Sequence, residues 1–217
     1  MMLDPLIADL LACIEDTHAA TKYERDPLRF CQLQGIDYTI GPRSLSRVSR
    51  DGNGPDLIIV SHEDYGSRDL FTIAHELSHV IARREGYIRL IKKHHKVHNM
   101  RRHIELLMNE GAARLLMPGP DLYAAALEYG DTPGAIQHLM TLSGASEAAA
   151  LRRWVRQDFS ESRAAAVFQD GYVADVVRWR ARMGLRRWDR VPEVALEHPD
   201  LVLHTIAPGR VIATIAG

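Results

Sequence analysis

Two cysteines in 217 residues, Cys13 and Cys31, are too few for a disulfide framework, and both read as small core residues. No apolar run is long enough to span a bilayer. A secretory leader is not expected either. The opening stretch, MMLDPLIADLLACIEDTHAA, has no basic start, and Asp4, Asp9, Glu15 and Asp16 interrupt its apolar residues. Neither sign of charge is in excess, with 27 Lys and Arg against 28 Asp and Glu for a formal net charge of −1. Nothing therefore draws the whole chain to nucleic acid or to an anionic membrane, and such binding would need a local patch. There is no internal repeat and no low-complexity segment. These absences point to a cytoplasmic globular protein. Its 46% hydrophobic and 25% charged residues are ordinary for that class, and the length suffices to bury a core unaided.

Apolar residues at helical spacing, Leu6, Ile7, Leu10, Leu11 and Ile14, predict an amphipathic helix over 4–20. Asp26 with Pro27 starts a short second helix, which runs into a strand at GIDYTIG. A Gly- and Asn-rich turn in SRVSRDGNGPDLIIV separates two strands, Leu57–Val60 being the stronger. A helix follows over about 67–84, then a polar, basic stretch, RREGYIRLIKKHHKVHN, and a second strong helix over about 100–117 that stops at Pro118. Farther on, two helices joined by a Ser-Gly-Ala turn precede strands around AAAVFQ and YVADVVRW, with a turn at Asp170-Gly171. A hairpin around Pro208-Gly209 closes the chain. The expected class is α+β, in three parts: 1–120, a helical segment 121–160, and a β-rich region 161–217 for sensing or docking.

The chemistry sits in FTIAHELSHVIA. Residues four apart on a helix share a face, so His75 and His79 aim both imidazoles at one point, as two metal ligands must. Glu76 is turned from them by roughly 100°. It flanks that point without occupying it, where a general base for an attacking water belongs. Ile73, Leu77, Val80 and Ile81 form another stripe that anchors the helix. A catalytic zinc needs a third protein ligand. Two carboxylates on the next helix compete for that place, and at five residues apart they diverge by roughly 140°. Glu110 stands in NEGAA, like the ligand motif of certain aminopeptidases, but can also pair with Arg114 one turn on. Glu105 shares a small, polar stripe with Asn109 and Ala112, suited to close approach by another helix, and is the preferred of the two.

The two helices together resemble the ImmA/IrrE family of bacterial metallopeptidases. Phe71, Thr72, Ala74, His75, Glu76 and His79 match its first motif. Glu105, Asn109, Ala112, Ala113, Leu116, Met117 and Pro118 match its second. The resemblance covers roughly residues 25–120. It implies a zincin-like core with Zn2+ held by His75, His79 and Glu105, and Glu76 as the catalytic base. It also implies an endopeptidase that cuts a protein partner, a helix-turn-helix repressor, in a DNA-damage or other stress response. Two residues depart from the family pattern. Ser78 stands where glycine is frequent, and Gly111 where phenylalanine is usual, a change that costs a helix interior about 1 kcal/mol relative to Ala and predicts close packing or a looser site.

Other features have plainer readings. His94, His95 and His98 read as part of a solvated basic loop, and His103 as structural. His18, His62, His138, His198 and His204 are scattered and fit surface or packing roles. Residues 134–157 resemble a helix-turn-helix with Ser146 as N-cap and Arg152, Arg153 and Arg156 on the second helix. Such pairs serve more often as scaffold than as DNA readers. RWRARMGLRRWDR reads as a solvated basic face over buried tryptophans. The rival to a peptidase is a non-catalytic regulator that binds DNA or a protein on a zincin scaffold, for which Glu76 would be superfluous.

Overall fold

A computed structural model describes residues 4–49, 54–61 and 69–216. The chain divides into two compact units at Pro118/Gly119.

The first unit begins with α1 (Pro5–Ala20), whose N-cap Asp4 accepts a hydrogen bond from the Leu6 amide. Next comes α2 (Pro27–Leu33), capped by Asp26 with Pro27 in its first turn, where a missing N–H costs nothing. Three strands follow, β1 (Ile36–Gly41), β2 (Leu45–Arg47) and β3 (Asp56–Ser61). Their order is β1-β3-β2, with β1 parallel and β2 antiparallel to β3. The stronger of the predicted strands, Leu57–Val60, is therefore the central one. Ile58 and Val60 are fully buried there, and the polar three-residue β2 takes an edge. The turn 50–53 lies outside the described residues.

Helices α3 (Asp69–Arg84), α4 (Tyr87–His94) and α5 (Met100–Leu116) complete this unit. The basic stretch after α3 is thus helical up to His94, while residues 96–98 form an exposed connection as the sequence predicts. Gly86 takes a left-handed φ of +75° that turns the chain, and the fully buried Ile91 anchors α4 in the core while Arg89, Lys92 and Lys93 face solvent. His95 is held as well, with Nδ1 3.1 Å from His103 Nε2. The core gathers Leu10 and Ile14 of α1, Leu77 and Val80 of α3, and Met108 and Ala112 of α5 around β3. Asp56 ties the sheet to the end of α3, pairing with Arg84 and accepting a hydrogen bond from the Ser49 amide at 2.7 Å.

The second unit opens with α6 (Gly119–Tyr129), α7 (Pro133–Ser143) and α8 (Glu147–Val155). Gly144 supplies the left-handed residue between the last two, and Ser146 caps α8 through the Ala149 amide. Strands β4 (Arg163–Gln169), β5 (Tyr172–Trp179), β6 (Val202–Ala207) and β7 (Arg210–Ala216) form an antiparallel sheet in the order β5-β4-β7-β6, with a one-turn helix α9 (Val194–Glu197) before β6. Helix α8 packs on β4 and β5 and buries Leu151, Arg153 and Trp154. The Ala164-Ala165-Ala166 run is fully buried. Met183, Leu185 and Val191 pack with Ala164, Ala166 and Phe168 of β4 in one cluster. The two tryptophans of the basic segment part ways. Trp179 is half-buried and its indole N–H donates to Phe159 O at 3.0 Å, but Trp188 is 69% exposed under Arg187, contrary to the expected buried pair. Among the described residues, no helix is long and apolar enough to cross a membrane.

Candidate metal centre

Helices α3 and α5 pack against each other, and the site lies between them. His75 and His79 stack edge to face one turn apart on α3, with ring centroids 4.9 Å apart. Glu105 on α5 meets both, its Oε2 lying 3.1 Å from His75 Nε2 and 3.5 Å from His79 Nε2. All three ligand atoms lie within 4.8 Å of one another. Ligands about 2.0–2.2 Å from a tetrahedral zinc stand roughly 3.3–3.5 Å from each other. The two separations from Glu105, 3.1 and 3.5 Å, lie close to that span, and the donor set suits one small divalent cation. Glu110 does not join the group. Neither do His94, His95 and His98.

One contributor escaped the sequence reading in its role, though not in its position. Asn109 Oδ1 lies 2.9 Å from His75 Nδ1. An acceptor there puts the ring proton on Nδ1 and turns the Nε2 lone pair toward the site. The signal was the four-residue spacing from Glu105, which places both side chains on the face that α5 turns to α3. His79 has no such partner. Its buried Nδ1 makes no hydrogen bond among the described residues.

Burial sets the electrostatics. Desolvation pushes the His79 imidazole down to about 4, with the positive potential of His75 and Arg83 adding to it. A neutral ring with its lone pair available is the form that binds a cation. Glu76 is 7% exposed, and burial raises its carboxyl above the ordinary range, while the Ser46 hydroxyl, His75 and Arg83 pull the other way. Ser46 lies on the edge strand β2 and also receives two hydrogen bonds from Arg83 Nη1, both 2.8 Å long, one at its carbonyl and one at its hydroxyl. Neither Ser46 nor Arg83 was legible as part of the site, because strand and helix meet there only through tertiary packing.

The sequence profile of Peptidase M78, the IrrE N-terminal-like domain, matches residues 33–155, more than half of the chain. The chain belongs to this family. The match takes in the whole of α3, α5, α7 and α8, and M78 membership gives the paired histidines and Glu105 a metallopeptidase-like setting. Among solved structures, a Mycobacterium tuberculosis transcriptional regulator has a similar fold, with a TM-score of 0.57 at 14% sequence identity. That likeness covers 95% of this M78 chain and 74% of the regulator. No curated protein matches the chain.

Proposed function

We propose that this chain is a zinc-dependent endopeptidase of the cytoplasm that cuts a protein partner at a specific segment. The observation that carries the reading is the convergence of His75, His79 and Glu105 beside a buried glutamate that takes no part in the ligand set. His75, His79 and Glu105 hold the metal, which when bound supplies a Lewis acid for the scissile carbonyl and for the attacking water. Asn109 keeps His75 in the required tautomer. Glu76 takes the proton from the water and returns it to the leaving amine, and its raised carboxyl pKa brings it closer to the range useful for that exchange. Ser46 and Arg83 fix the carboxylate's surroundings. Substrate backbone pairs along the open edge of β2, the strand that carries Ser46 to the site.

The partner we assign is a helix-turn-helix repressor whose cleavage relieves transcription under DNA damage or another stress. Support comes from the ImmA/IrrE resemblance and from the structural neighbour, which is a transcriptional regulator. The same neighbour favours one rival, a regulator that binds DNA or protein without cleaving. Glu76→Gln separates the two. It should keep metal and fold and lose cleavage of a repressor encoded beside the gene. If the variant regulates as the parent does and no repressor is cut by either, the regulator reading replaces the peptidase.

A further inference from the structure

Next to the metal ligands lies a cavity of about 380 Å³ that the mechanism above leaves unused. His79 and Glu105 form one end of it, and Ile88, Met100 and Ile104 supply an apolar wall. Three cations also line it, one from each helix: Arg83 of α3, Lys92 of α4 and Arg101 of α5. Among the described residues the lining holds a single carboxylate, Glu105, which is engaged by both imidazoles. Among the described residues, Lys92 and Arg101 make no ion pair, and both are exposed. Arg83 is held at its position by the two hydrogen bonds to Ser46. The cavity therefore combines unmatched positive charge with a short apolar surface, and it opens beside the point where a peptide bond would be cut.

We propose that this cavity is a substrate subsite that selects an acidic side chain, Glu foremost, in a residue flanking the scissile bond. The inference rests on the peptidase reading and names the substrate chemistry of that site. The two methylenes of a glutamate cover Ile88 and Ile104, and its carboxylate reaches the cations. A lysine or arginine side chain would meet three like charges, and a purely aliphatic one would leave them without a counter-charge. A bound divalent cation adds to the same field. Single exposed ion pairs are weak, so the selection depends on all three cations acting on one carboxylate.

The test is binding, which does not depend on turnover. N-acetyl amino-acid hydroxamates anchor on an open metal site and place their side chain in the nearest subsite. Calorimetric titration of the full zinc-loaded chain should show the Glu derivative binding about tenfold more tightly than the isosteric Gln derivative, with the Lys derivative weakest. The Lys92→Ala/Arg101→Ala double variant should bring Glu and Gln level, and Lys92→Glu/Arg101→Glu should reverse the order in favour of Lys. These positions are exposed, so the variants leave the core intact. Equal binding of all three derivatives to the parent protein overturns the acidic subsite and leaves the peptidase reading standing. If none binds a chain that carries one zinc, the open metal centre is wrong and the subsite falls with it.

Discussion

A Cβ placed on Gly111 would lie 2.7 Å from Ser78 Oγ and 2.9 Å from Ser78 Cβ. Helices α3 and α5 touch at this point, and on α3 the contact falls between the ligands His75 and His79 in the sequence. The two departures from the family pattern are therefore one packing arrangement, in which a hydroxymethyl group on α3 fills the space that a glycine on α5 leaves open. Ser78 is fully buried, and its hydroxyl donates to the Ala74 carbonyl.

Gly111→Ala should consequently destabilise the protein, although alanine is the better helix former. Overpacking costs about 1–3 kcal/mol, against about 1 kcal/mol gained in helix propensity. A net loss of up to about 2 kcal/mol in urea unfolding is expected. Adding Ser78→Gly should recover part of it, because the remaining close atom, Ile14 Cδ1 at 2.8 Å, is the end of a flexible side chain. Full additivity of the two substitutions would show that the contact is not the cause.

The third ligand can be tested by paired substitutions. Glu105→Ala should strip the metal at chelator concentrations that Glu110→Ala withstands, since only Glu105 joins the imidazoles. Elemental analysis after dialysis reads the result, and loss of metal from the Glu110 variant alone would move the ligand to that residue.

Asn109→Ala should weaken metal binding by about 10–100-fold, the usual effect of removing a group that orients a ligand histidine. Chelator competition gives the affinity. Urea unfolding of the metal-free variant separates this from a general loss of fold, and should change little.

Acid should destabilise the metal-free protein through His79. Its folded pKa lies at about 4, below the ordinary 6.5, so between those values the unfolded chain takes up a proton here that the folded chain refuses. Stability is then intact above about pH 6.5 and falls as the pH drops toward 4, by up to about 1.4 kcal/mol per pH unit. His79→Gln should flatten this slope in unfolding curves taken between about pH 7 and pH 5. An unchanged slope would assign it to other groups.

Residues up to Pro118 have their own core, so a chain ending there should fold and bind one metal. The β-rich region beyond, which the sequence marks for sensing or docking, would then supply the choice of partner. The truncated chain should hold zinc by elemental analysis, show native-like circular dichroism and fail to cut the partner. Cleavage at the parent's rate would return partner selection to the catalytic core.

Local pattern alone determined much of this protein. The spacing of His75 and His79 fixed a shared direction, the offset of Glu76 kept it out of the ligand set, and Glu105 fell on one stripe with Asn109. Asp26-Pro27, Ser146 and Pro118 marked helix ends because capping and proline chemistry act within a few residues. Tertiary structure decided what depends on distant partners. Leu57–Val60 became the central strand only because β1 and β2 pair on either side of it. The first part of the lysine- and histidine-rich stretch became α4 because Ile91 finds a buried place, a gain its polar neighbours conceal. Ser46 reaches Glu76 and Arg83 across 30 and 37 residues of chain. No sequence period encodes such a meeting, since it exists only once the sheet and α3 have packed.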